Sequence, residues 1–116
     1  MNFEFEIEFY ETIEGRKPVA EFLVELEFKN VTLRNRIAEG INKLKNSAYH
    51  REPLSKFLGE GLYELKVSVG RVIYFFRKGR KIILLHGFIK KKQKTPLKEL
   101  SIAKERMKDY TKRHGD

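Results

Sequence analysis

Three short segments between Leu62 and Ile89 place apolar side chains at every second residue, and only Gly70 and Lys78-Gly79-Arg80 part them. Connections this short cannot hold a crossover helix, so residues 62–69, 71–78 and 81–89 are expected to form three antiparallel strands. The same period opens the chain. Phe3, Phe5, Ile7 and Phe9 alternate with Glu4, Glu6 and Glu8, which predicts a strand over residues 2–10 with one buried face.

Helical spacing occupies most of the remainder. Pro18 suits the first turn of a helix, and Val19, Phe22, Leu23 and Leu26 follow on one stripe. Leu33, Ile37, Ile41 and Leu44 make a second stripe, separated from the first only by the region around Asn30, so the pair is expected to be an antiparallel hairpin. Residues 46–61 carry Asn46, Ser47, Pro53, Gly59 and Gly61 and read as a loop from which Leu54, Phe57 and Leu58 reach the core. Thr95 is placed to cap a last helix, with Pro96 in its first position and Leu97, Leu100, Ala103, Met107 and Tyr110 as its apolar stripe. The tail from Thr111 to Asp116 is expected to fray. The order β-α-α-β-β-β-α describes an α+β domain, a mostly antiparallel four-stranded sheet with helices on one face. A length of 116 residues gives room for one domain, residues 1–116, and the chain shows neither repeats nor a linker.

Composition excludes several chemistries. An apolar share of 41% with 12% aromatics is enough to build a core, which sets the chain apart from disordered tails. Cysteine is absent, so there is no disulfide scaffold, thiol nucleophile or thiolate metal site. His50, His86 and His114 are too scattered for a recognisable metal set, and no Gly-rich loop follows the first strand, so neither a metal nor another cofactor is expected. Apolar stretches such as Ile82-Ile83-Leu84-Leu85 fall far below the roughly 20 residues of a membrane span. The first ten residues lack the basic start of a signal peptide, and the expectation is an intact, soluble, cytoplasmic protein.

What remains is cationic. Of a net charge of +9, residues 1–60 contribute −2 (9 Lys+Arg, 11 Glu) and residues 61–116 contribute +11 (16 Lys+Arg, 5 Asp+Glu). Charge concentrated in this way attracts polyanions, although a merely soluble basic surface has the same composition. The densest run, Lys90-Lys91-Lys92-Gln93-Lys94, joins the last strand to the last helix. In the open it would be a solvated loop; with both flanks held, its cations converge as a phosphate site does. Lys66 and Arg71 sit on neighbouring strands across a tight turn. Glu64 shares the face of Lys66, opposite Leu65, Val67 and Val69, which predicts a partly wet face, and a surface pair from Glu64 to Lys66 or Arg71 is the plainer reading. His86, among Leu84, Leu85 and Phe88, reads as a hydrogen-bonded structural histidine ahead of a catalytic one.

Gly61-Leu62-Tyr63-Glu64-Leu65-Lys66, Arg71-Val72-Ile73-Tyr74-Phe75, and the stretch from Leu84 through His86-Gly87-Phe88-Ile89-Lys90-Lys91 to Gln93-Lys94-Thr95-Pro96 resemble the RelE/HigB toxin superfamily, in its phage-derived HigB-like branch. The resemblance runs over nearly the whole chain. It implies a RelE-like fold and a type II toxin: a ribosome-dependent endoribonuclease that cuts translated messenger RNA and is held inactive by a cognate antitoxin, often a helix-turn-helix protein. By resemblance, Lys66 matches the strand arginine near the scissile phosphate, Arg71 the arginine opening the next strand, and Lys90 and Lys91 the basic pair ending the last strand. Lys56 matches a basic residue that contacts RNA, and Lys92 and Lys94 extend that surface. The chain departs from the family by having lysine in place of arginine at position 66, which keeps the charge and loses the two-pronged grip, and lysine in place of Thr or Ser at 92.

Such residues suit the implied reaction. The substrate's own 2′-hydroxyl is the nucleophile, so the protein must orient it, move protons and stabilise charge on phosphorus. A lysine, ordinarily near about 10.4 in pKa, can serve as a base when like charges and burial lower that value. Lys90 or Lys91 would transfer the proton and Lys66 and Arg71 would stabilise the phosphorane. Two other readings stay open: a ParE-type inhibitor of DNA gyrase, which shares the superfamily fold, and a non-catalytic basic RNA-binding module.

Overall fold

Val72, Ile73, Tyr74 and Phe75 are buried without a break, and so are Ile82, Ile83, Leu84 and Leu85. Side chains alternate across a sheet, so unbroken burial requires cover on both faces. The computed structural model, which describes residues 4–115, shows that cover. Its elements are β1 (Glu6–Phe9), α1 (Pro18–Lys29), α2 (Val31–Lys43), a short 3-10 turn at Ser47–Tyr49, β2 (Ser55–Gly59), β3 (Leu62–Val67), β4 (Gly70–Arg77), β5 (Lys81–Ile89) and α3 (Leu97–His114). The strands form one sheet in the order β1-β5-β4-β3-β2, with β1 parallel to β5 and every other pairing antiparallel.

The α1–α2 hairpin covers one face, where Leu23, Leu26, Ile37 and Ile41 pack on Leu65, Val72, Tyr74 and Leu84. Pro18 opens α1 at its first position, and Asn30 both ends α1 and caps α2 by accepting from the Leu33 amide. Helix α3 covers the other face, with Ala103 and Tyr110 against Ile73, Phe75, Ile83 and Leu85. In β5 the register shifts so that Ile73 faces His86 while Tyr74 faces Leu84, and Leu85 is the extra residue of a bulge. Leu85 and His86 therefore both turn toward α3.

The expected α+β class, the helical hairpin and the antiparallel meander are all present. Five details differ. The sheet has five strands, because Ser55–Gly59, expected to be loop, pairs with β3 through Ser55 to Leu65, Lys56 to Glu64 and Phe57 to Tyr63. Phe57 consequently points outward and is 57% exposed instead of reaching the core. Helices lie on both faces, not one. The first strand is shorter than residues 2–10, with Glu4 in an isolated bridge to Asn46 and residues 2 and 3 outside the described part. The tail is docked through Gly115: α3 runs to His114, whose ring stacks on Tyr110, Arg77 donates to the Gly115 carbonyl at 2.8 Å, and Asp116 lies outside the described residues.

Close approach of α2 to the meander depends on two glycines. A Cβ on Gly40 would stand 2.8 Å from Val67 Cγ2, and one on Gly70 would stand 2.4 Å from Ile37 Cδ1 and 3.2 Å from the Val67 carbonyl oxygen. Ile37 is 1% exposed and cannot swing into solvent. Gly70→Ala should therefore lower stability by about 1–3 kcal/mol through overpacking. Thermal unfolding of the variant should show a melting temperature reduced by roughly 4 °C or more.

Candidate functional site

Register brings the expected cations to one end of the sheet. Lys66 and Arg71 are direct cross-strand partners on β3 and β4, and Lys56 faces Glu64 two residues along β3. By this register the four residues share the strand face of Leu62 and Ile73. Lys90 follows β5 directly, and its amide donates to the Val69 carbonyl in the β3–β4 turn at 2.7 Å. Lys91, Lys92 and Lys94 are exposed along the connection into α3. That connection leaves β5 and ends beside β3, so it crosses the end of β4 where Arg71 stands.

The cations divide by partner. Lys66 is paired with the exposed Glu52, and Arg71 Nε lies 3.6 Å from Glu64 Oε1. Among the described residues, Lys56, Lys90, Lys91, Lys92 and Lys94 have no ion-pair partner. Glu64 is 1% exposed. The face expected to be wet is closed there, because the Thr95 hydroxyl donates to Glu64 Oε2 at 2.6 Å. Thr95 therefore does not cap α3; the N-cap position belongs to Pro96, which has no side-chain bond to give. Leu97, expected on the apolar stripe, is 83% exposed at the helix start. Arg71 is held further by donation from Nη1 to the Ser68 and Gly70 carbonyls, at 2.6 and 2.9 Å. Two carbonyls of the β3–β4 corner and the Glu64 carboxylate thus hold the guanidinium, while Nε itself has no hydrogen-bond partner.

Residues 22–108 match the family model described as phage-derived protein Gp49-like (DUF891). The chain belongs to that family. No curated protein matched it. Among the described residues, no helix is long and apolar enough to cross a membrane, and no three His, Asp or Glu side chains are grouped as metal ligands would be.

A second polar cluster in this Gp49-like chain surrounds His86, beside the first. The bulge exposes the Leu85 carbonyl to α3, and Arg106 Nη1 donates to it at 2.9 Å. The same nitrogen lies 3.0 Å from His86 Nδ1, while His86 Nε2 lies 2.7 Å from Glu99 Oε1. Arginine can only donate, so Nδ1 is bare and Nε2 carries the proton toward Glu99. His86 is thus a neutral histidine with both ring nitrogens engaged, as the hydrogen-bonded reading expects. Sequence alone reveals neither Glu64 and Thr95 beside the cations nor Glu99 and Arg106 around His86; the one available signal is a lone acid inside the apolar run Leu62-Tyr63-Glu64-Leu65.

Burial pushes the His86 pKa below its ordinary value, and the adjacent Arg106 acts in the same sense against the opposing pull of Glu99. The unfolded chain therefore takes up this proton at a higher pH than the folded one, so stability is full above about 6.5 and is lost as pH falls below it. Thermal unfolding measured from about pH 7 to about pH 5 should show a declining midpoint, and His86→Gln should flatten that decline.

Proposed function

We propose that this protein is the toxin of a type II toxin–antitoxin pair, a RelE/HigB-like endoribonuclease that cuts messenger RNA on the ribosome. The observation carrying this reading is the meeting of seven basic residues at one end of the sheet, five of them without an ion-pair partner, in a chain of the Gp49-like family. Its neutralising partner is a cognate antitoxin, for which a helix-turn-helix protein is the expected class, and its setting is the cytoplasm.

Cleavage requires no cofactor in this scheme. The 2′-hydroxyl of the substrate loses its proton to Lys91 or Lys90 and attacks phosphorus, and the bond to the 5′-oxygen breaks as that oxygen takes up a proton. A 2′,3′-cyclic phosphate and a 5′-hydroxyl result. Lys66 and Arg71 stabilise the charge that builds on the phosphoryl oxygens, Arg71 as a fixed cation that needs no reorganisation during the reaction. Lys56, Lys92 and Lys94 grip the flanking backbone. Strong salt dependence of binding follows from such phosphate contacts.

Expression without the antitoxin should stop growth and produce new 5′ ends inside translated reading frames, read by primer extension. Lys91→Ala should reduce cleavage by roughly 10²–10⁴-fold. Lys66→Ala and Arg71→Ala should each reduce it by roughly 10²–10³-fold. Lys104, on α3 and paired with Glu60, is the comparison; Lys104→Ala should weaken ribosome affinity only modestly. Arrested growth with intact messages would turn the reading toward gyrase. Equal small losses in all four variants, recovered at low salt, would reduce the cluster to an electrostatic grip.

A further inference from the structure

A carboxylate removed from water needs partners for its charge, and Glu64 takes both of its partners from the cation site. One oxygen accepts the Thr95 hydroxyl, and the other faces Arg71 Nε. Thr95 ends the lysine run and Arg71 is the cation beneath it. The start of the run is tied separately, by the Lys90 amide on the Val69 carbonyl. Residues 91–94, three of them lysines, therefore span two fixed points. Like charges so close together repel, and a free loop of this composition would spread away from the sheet. Thr95 stands next to the start of α3, where its hydroxyl could serve the helix, yet it is spent on Glu64, and α3 begins without a side-chain cap.

We propose that Glu64 is a positioning residue: it clasps the Lys90–Lys94 loop through Thr95 and aims Arg71, so that the cations of loop and sheet meet one phosphodiester. The catalytic part of this proposal rests on the endoribonuclease reading above. Glu64 itself does not touch substrate, because it is closed over on all sides.

Thr95→Val tests the clasp by removing one hydroxyl at nearly constant shape, and Thr95→Ser restores it. Two measurements on the full chain are paired: the rate of tryptic nicking after Lys91, Lys92 and Lys94 under native conditions, and the kinetics of message cleavage on programmed ribosomes. Loss of a hydrogen bond to a charged acceptor should speed nicking of the Thr95→Val protein roughly tenfold. The kcat for cleavage should fall by a similar factor, with KM for ribosomes changed less than about twofold, and Thr95→Ser should behave as wild type in both. Glu64→Gln should shift both readouts in the same direction. Unchanged nicking in Thr95→Val overturns the clasp whether or not any message is cut, and faster nicking with an unchanged kcat overturns the positioning role. A wild-type protein that cuts no message, with Thr95→Val nicked tenfold faster, overturns the endoribonuclease reading and leaves the clasp supported.

Discussion

Burial of β4 and β5 on both faces is the constraint from which the rest follows. β5 is hydrogen-bonded on each edge, parallel to β1 and antiparallel to β4, and its run Ile82–Leu85 contributes alternately to the two cores. Neither face can be left bare, so the hairpin must cover one and α3 the other. To reach its face, the chain leaving β5 has to cross the sheet end before α3 can begin. The lysine run is that crossing. Its position over Arg71 is thus a consequence of how the core is closed.

The bulge in β5 shows how the packing is adjusted for polar groups. One extra residue brings Leu85 and His86 to the same side, which gives α3 an apolar contact and a polar one in succession. The freed carbonyl would be costly if left unpaired, and Arg106 satisfies it while fixing the histidine tautomer. A histidine held neutral between a carboxylate and a guanidinium is a rigid support for the start of α3.

Much of this was legible in the sequence, and the misses have physical causes. Alternation in Glu4-Phe5-Glu6-Ile7-Glu8-Phe9 marks β1 as a strand with one buried face, and Leu23, Leu26, Ile37 and Ile41 mark the packed sides of the hairpin. The unbroken runs Val72–Phe75 and Ile82–Leu85 carry a further message, that both faces are covered, which is lost if only the presence of strands is read from them. β2 escaped because it is a five-residue edge strand between Pro53 and Gly61 with outward Lys56 and Phe57, so neither apolar alternation nor length marks it. Thr95 has the residue type and position of a cap, but a buried acid brought near by tertiary structure outcompetes the helix for its hydroxyl. The cations of the site were visible as charge; the carboxylate between them was not, since a single Glu in a strand looks the same whether wet or buried.

Burial also separates two cations that look equivalent on the strand pair. The Lys66 partner, Glu52, is 59% exposed on its side chain, and a pair of that kind contributes at most about 1 kcal/mol. If the proposed function holds, a phosphate exchanges with Glu52 at little cost and leaves Lys66 to follow the substrate. Arg71 stands against a carboxylate of 1% exposure and donates to two backbone carbonyls, and breaking the ion pair would leave the buried Glu64 charge without its cation. On the phosphodiester-cleaving reading, the two positions have different requirements. A flexible ammonium suffices at 66, where the contact is made and broken, whereas at 71 the planar guanidinium is needed because two backbone acceptors and a buried carboxylate already define its orientation. Lysine at 66 is therefore compatible with a working site in a way that lysine at 71 would not be.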